Sequence, residues 1–358
     1  MSRLIRAVID TQALRSNLQV LKSRAPKARV VAVVKANAYG HGLIGTARAL
    51  HDADALAVAR IGEGIALREA GITQPIVLLA GVFTPEEMQE AAHHAFDLVV
   101  HNERQIELLE NARDRAPLVL WLKIDTGMHR LGFAPEASGA ALLRLRQLPL
   151  APREIRLMTH LASAEEPDDA MTRAQLECFS AVTRGVSLAT SIGNSAGILG
   201  SSAALGNWIR PGIALYGASP FAHASAASLG LVPVMTLETT VMATHRVARG
   251  QSVGYGAAWR AERDTRIAIL AGGYADGLPR NLAKAAAVLV NGERARLAGR
   301  VSMDMIAVDI AERTDVQVGT PGVIWGAGLP VGEMAAQAGT ISYELLCGVP
   351  ARVAREFR

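Results

Sequence analysis

Two lysines close strongly apolar runs. Lys35 follows Val30, Val31, Ala32, Val33 and Val34, and Lys123 follows Leu118, Val119, Leu120, Trp121 and Leu122. Lysine is scarce, with five among 37 basic residues. A lysine whose ammonium is partly desolvated loses proton affinity and can act as an amine nucleophile or a base. The same place also suits a lysine that lays its stem on apolar surface and keeps its head in water, and neither residue alone chooses between the two. Tyr39 and His41, set around Gly40 and Gly42, add polar groups beside Lys35. Further along, Gly193-Asn194-Ser195-Ala196-Gly197 and Arg210-Pro211-Gly212-Ile213 bring small residues together. Ser195 and the Gly212 and Ile213 amides are hydroxyl and N–H donors of the kind that cradle a phosphate. By composition the first stretch is equally a plain turn.

These residues need elements to position them. Short apolar runs at 30–34, 55–59, 75–80, 97–100 and 118–124 recur every 20–25 residues. Helical patterns lie between them, opened by Thr84-Pro85-Glu86-Glu87 and Asn102-Glu103-Arg104-Gln105, each a capping residue with Glu or Gln three positions on. Apolar strands separated by helices pair in parallel with both faces covered. Weaker strand patterns at 154–159, 187–191 and 209–215 bring the number to eight. Eight strand–helix units without a glycine-rich phosphate turn after the first fit an α/β fold of the (β/α)8 TIM-barrel type better than a doubly wound sheet. After about residue 228 the texture turns to β-branched runs at 236–244, 266–271, 287–290 and 305–310, broken by turn pairs such as Asn291-Gly292. The expected division is a barrel over 1–228 and a mostly antiparallel β domain over 229–358, partly helical near its end.

In such barrels the site lies at the C-terminal strand ends, which makes Lys35, Arg60, His101, Lys123, His160 and Arg210 the informative residues. An amine, a phosphate cup and an arginine on one rim suggest a phosphorylated aldehyde held as an imine, namely pyridoxal 5'-phosphate. The 358 residues are 50% hydrophobic and 20% charged, a globular composition. The net charge of +4 is dispersed and aromatic residues are only 4%, so no nucleic-acid partner is expected. No run approaches the roughly 20 apolar residues of a membrane helix. Arg3, Arg6 and Asp10 stand where a signal peptide would be apolar. A cytoplasmic enzyme without a membrane partner is expected. Cys178 and Cys347 give neither a disulfide framework nor a zinc spacing, and the histidines are not clustered, so no metal is expected.

Residues 31–42, Val-Ala-Val-Val-Lys-Ala-Asn-Ala-Tyr-Gly-His-Gly, resemble the cofactor-attachment motif of bacterial alanine racemases. Residues 121–132, 210–217, 253–256, 273–277, 300–304 and 341–344 are similar to that family too, so the resemblance spans the chain. It implies a pyridoxal-phosphate enzyme that interconverts L- and D-alanine, supplying D-alanine for peptidoglycan or feeding alanine breakdown. It also implies a barrel followed by a β domain, and a homodimer with shared active sites.

Residue by residue, the resemblance makes Lys35 the imine-forming lysine and one catalytic base, with Tyr255 the other. Direct inversion requires two, because a proton taken from one face must be returned to the other. His160 and Arg210 become the cations or hydrogen-bond partners that tune Tyr255, and Arg210 faces the pyridine nitrogen. Tyr39, Ser195, Gly212, Ile213 and Tyr343 surround the phosphate. Arg130 and Met303 meet the substrate, and Lys123 matches a lysine often carbamylated. His129, Tyr274 and Asp304 support these or line the entry. A decarboxylase of like architecture would place a carboxylate where Arg210 stands.

Overall fold

A computed structural model describes residues 4–112, 117–166, 169–282 and 285–358. The first strand, β1 (Ile5–Ile9), precedes a closed barrel of eight parallel strands: β2 (Arg29–Val33), β3 (Ala55–Val58), β4 (Ile76–Leu78), β5 (Asp97–Val100), β6 (Val119–Lys123), β7 (Glu154–Met158), β8 (Ala189–Ser191) and β9 (Trp208–Ile209). Each pairs with the next, and β9 closes on β2 through Arg29 to Trp208 and Val30 to Ile209. Strands β3, β5 and β6 are buried along their whole length, as continuous apolar runs with both faces covered require. The two predicted caps form, each with a return bond one residue before the cap. Thr84 Oγ1 accepts from Glu87 N and the Glu87 carboxylate from Phe83 N, and Asn102 and Gln105 repeat the exchange.

The eighth barrel strand is shorter than the 209–215 pattern suggests. It stops at Ile209, because Pro211 has no N–H for a ladder and Gly212 turns the chain into a 3-10 turn, Ile213–Tyr216.

The second unit is built on β10 (Met235–Val247), followed by a two-stranded ribbon of β11 (Ser252–Val253) and β12 (Trp259–Arg260). Next come β13 (Thr265–Ala271), β14 (Ala287–Val290), β15 (Glu293–Leu297), β16 (Met305–Ala311) and β17 (Pro321–Trp325). Asn291 and Gly292, both at positive φ, turn β14 into β15, as that pair favours. Two helices, Val331–Ala338 and Ser342–Cys347, lead to β18 (Ala354–Phe357). The strand order is β13-β16-β15-β14-β17-β10-β1-β18, with β13 also pairing to β10. A barrel followed by a largely antiparallel β domain is the architecture the sequence predicts. The sheet also takes in β1, antiparallel to β10 and parallel to β18. Arg6 on β1 bridges Glu238 and Glu356 on those neighbours. No helix among the described residues is long and apolar enough to cross a membrane.

The barrel floor is polar but closed. The buried Arg156 guanidinium lies 4.7 Å from the Trp121 ring centre and 4.2 Å from that of Trp208. It donates to Glu154 and lies 3.6 Å from buried Asp97. Such a plug fills a barrel end with stacked and paired groups instead of aliphatic ones.

Candidate active site

Every barrel strand ends toward one rim, and ten of the residues singled out in the sequence line a single cavity there, about 530 Å3 in volume: Lys35, Tyr39, Lys123, Arg130, His160, Ser195, Arg210, Gly212, Ile213 and Tyr343. Nine come from the barrel. Tyr343 enters on the helix Ser342–Cys347 from the β domain, so both units build the site.

The turn after β2 is unusual. Ala36, Asn37, Ala38 and Tyr39 all have φ between 51° and 55°, and Gly40 follows at 79°. A left-handed helical turn costs about 1–2 kcal/mol per non-glycine residue, so it persists only where its surroundings over-determine it. Asn37 Oδ1 accepts from Leu43 N at 2.8 Å, and His41 Nδ1 lies 3.0 and 2.9 Å from the Ala38 and Tyr39 carbonyls. A Cβ on Gly40 would stand 1.9 Å from the Leu346 carbonyl oxygen, so only glycine allows the helix Ser342–Cys347 to approach. Burial, with the Arg130 cation beside it, holds the Lys35 amine below the ordinary lysine range.

Tyr39 stacks on Tyr216 at 4.7 Å, and Tyr216 donates to the Val33 carbonyl at 2.9 Å. A Cβ at Gly212 would lie 2.4 Å from the Tyr39 hydroxyl, so glycine is needed there for the phenol to reach the cup. Ser195 Oγ accepts from the amides of Gly212 at 2.9 Å and Ala214 at 3.3 Å. Burial pushes the Tyr343 hydroxyl up to about 12 and raises that of Tyr39 further, so both stay neutral donors.

Arg210 is 5% exposed. Its guanidinium donates to Ser191 Oγ at 2.5 Å and to the Thr159 and Ile192 carbonyls at 2.6 and 3.1 Å, and lies 3.4 Å from His160 Nδ1. No carboxylate among the described residues pairs with it. Burial alone lowers its pKa, to about 10. His160 is held well below its usual value by burial and then by Arg210 and Lys123, so it is neutral and can accept from Arg210. Burial and the neighbouring Arg210 and Arg130 lower Lys123 to about 8.

Tyr255 and Met303 are not in this cavity. Tyr255 is 69% exposed, in a turn between the ribbon strands β11 and β12, and Met303 is 54% exposed in the loop before β16. Arg60 and His101 also stay out of it. Arg60 leads into the helix Ile61–Glu69, and His101 is buried with Nε2 3.0 Å from the Ala80 carbonyl. The sequence reading missed Leu79, Ala80, Leu131, Asn194 and Cys347 as wall residues. Leu131 and Asn194 lay within motifs already quoted, whereas Cys347 carried no local signal.

Among the described residues, the lining contains four cationic side chains, Lys35, Lys123, Arg130 and Arg210, and no Asp or Glu. With the Ser195 cup this suits an anionic group carrying phosphate, together with a carboxylate substrate. Pyridoxal phosphate fits the donors present: an amine for its aldehyde, hydroxyls and amides for its phosphate, and a buried arginine for its ring nitrogen.

Residues 9–220 match the family model for the alanine racemase N-terminal domain, and residues 234–357 that for the C-terminal domain. The chain is 48% identical to the alanine racemase of Nitrosococcus oceani, with 98% of each chain covered, and 46% identical to that of Nitrosospira multiformis, with 99% of each covered. Among solved structures it resembles the biosynthetic alanine racemase from Pseudomonas aeruginosa, with a TM-score of 0.96, 46% identity and complete coverage of both chains.

Proposed function

The chain belongs to the alanine racemase family, and from that premise we propose that Lys35 and Tyr255 are the two bases that invert alanine at its α-carbon. The observation that carries the reading is the cavity itself, with Lys35, Lys123, Arg130 and Arg210 on its wall and the Lys35 amine partly desolvated. Pyridoxal phosphate, when bound, supplies an aldehyde that takes up the amino group and a ring that draws electrons from the α-C–H bond.

Lys35 Nζ takes or returns the α-proton on one side of alanine, and Tyr255 Oη does so on the other. Arg130 holds the substrate carboxylate by a charge-assisted pair, with the Met303 backbone at the same end. Tyr39, Ser195, Gly212, Ile213 and Tyr343 hold the phosphate. Arg210 keeps its own proton and so leaves the ring nitrogen without one, which weakens electron withdrawal and limits side reactions. His160, neutral, accepts from Arg210 and passes that polarity toward Tyr255. Lys123, lowered to about 8, has a neutral fraction at physiological pH that can add carbon dioxide with loss of a proton; the resulting carbamate would lie among the cations of Arg130 and Arg210 and hold Arg130 in place. In the wider reading the enzyme is a cytoplasmic homodimer with sites shared between subunits, and it supplies D-alanine for peptidoglycan or feeds alanine breakdown.

The test is Lys35→Ala. The near-visible absorbance of the bound cofactor should vanish and turnover of either alanine enantiomer should fall by about a thousandfold or more. An equally intense, borohydride-reducible band in the variant would sink the assignment.

A further inference from the structure

We propose that Arg355, on the last strand of the β domain, is a positioning residue that holds the left-handed turn carrying Lys35. The proposal rests on the reading of Lys35 as the working amine. The backbone bonds inside the turn, Ala38 N to Val34 O at 2.8 Å and Gly40 N to Ala36 O at 3.0 Å, are of the kind a helix of either hand makes, so they do not select the hand. Local propensity opposes it at Ala36, Ala38 and Tyr39. The selection therefore comes from what the turn is packed against.

Arg355 Nε donates to the Gly40 carbonyl at 3.0 Å, where the turn leaves. Its other two nitrogens donate to the carbonyls of Pro350 at 2.6 Å, Val353 at 2.7 Å and Val349 at 2.5 Å. The guanidinium is thus a planar clamp between the barrel's lysine turn and the C-terminal loop, and no carboxylate among the described residues competes for it. Beside it, the Phe357 ring lies where side chains on Gly42 or Gly45 would stand. The same segment carries Tyr343 into the cavity, so one clamp sets both a phosphate neighbour and the lysine. A lysine in its place would keep the charge but, as a point donor, could not serve carbonyls on two sides.

The experiment compares wild-type, Arg355→Lys and Arg355→Met holoenzymes by amide hydrogen exchange, by borohydride trapping of the cofactor and by steady-state kinetics. In Arg355→Met, exchange at residues 36–42 should rise about tenfold while strands β4 to β7 keep wild-type protection. The kcat should fall about tenfold or more with KM within about twofold, the pattern of misaligned chemistry and not of lost binding. Arg355→Lys should lie between, and if Arg355→Met does not fold, Arg355→Lys alone decides. Unchanged exchange at 36–42 and unchanged kcat in a folded variant would overturn the proposal, as would protection lost evenly across the barrel. Failure of borohydride to fix the cofactor on Lys35 in the wild type would instead overturn the reading on which the proposal stands.

Discussion

At the scale of single residues, the cavity works by withholding counter-charge. Arg210 is buried against Ser191, two carbonyls and His160, with no acid among the described residues to answer it, so its guanidinium is free to face an acceptor that carries no proton. Replacing it by glutamate reverses that demand, since a carboxylate beside a pyridine nitrogen stabilises the protonated ring. In Arg210→Glu a new long-wavelength absorbance should appear on adding alanine, and racemisation should slow by about a hundredfold. Slower turnover with the cofactor bound and no such band would show that Arg210 acts by shape and not by charge. The placement of these residues on one rim was legible in the sequence because each closes an apolar run, whereas the roles proposed for them came from the family resemblance and not from residue type. Cys347 was not legible, since it reaches the cavity only through the docking of a helix from the other domain.

At the scale of elements, the barrel could be read because each strand is an unbroken apolar run and each helix carries its own start signal, as at Thr84 and Asn102. The left-handed turn could not. Residues 35–39 have the composition of an ordinary helix, and what packs against the turn, Leu346 against Gly40 and Arg355 on the Gly40 carbonyl, comes from far along the chain. Strands β1 and β18 escaped notice for a related reason, because charged Arg6 on β1, and Arg355 and Glu356 on the edge strand β18, interrupt the apolar pattern. The barrel floor offers a stability test. Burial pushes Asp97 up to about 6 despite Trp121 and Arg156 beside it, whereas an unfolded carboxyl releases its proton near pH 4. The folded chain therefore binds the extra proton between those values. The stability this confers is complete below the unfolded value and is lost as pH rises through about 6. Asp97→Asn should remove that loss. Its Tm relative to wild type should be higher by several degrees at about pH 8 than at about pH 5, and a difference independent of pH would show that Asp97 is paired firmly enough to stay ionised throughout.

At the scale of the molecule, Lys35 and Tyr255, the two bases we propose, do not meet within one chain as the cavity is formed. Lys35 lies on its wall, while Tyr255 stands exposed between β11 and β12 among other uncovered apolar groups of the β domain, Tyr274, Met303 and Met305. Exposed aromatic and methionine side chains of this kind are what the proposed dimer would cover. In a two-fold dimer, the tip carrying Tyr255 on one subunit would enter the rim of the other, and the reverse. On that arrangement Lys35→Ala and Tyr255→Phe homodimers are each nearly inactive. In a mixed dimer one site carries both lesions and the other recovers both wild-type bases. Mixing equal amounts under conditions of subunit exchange should restore activity to about a quarter of wild type, since random exchange makes half the dimers mixed and each holds one good site. If tagged subunits prove that exchange occurred and activity still does not return, each site draws both bases from its own chain, and Tyr255 would have to reach Lys35 by movement of the ribbon.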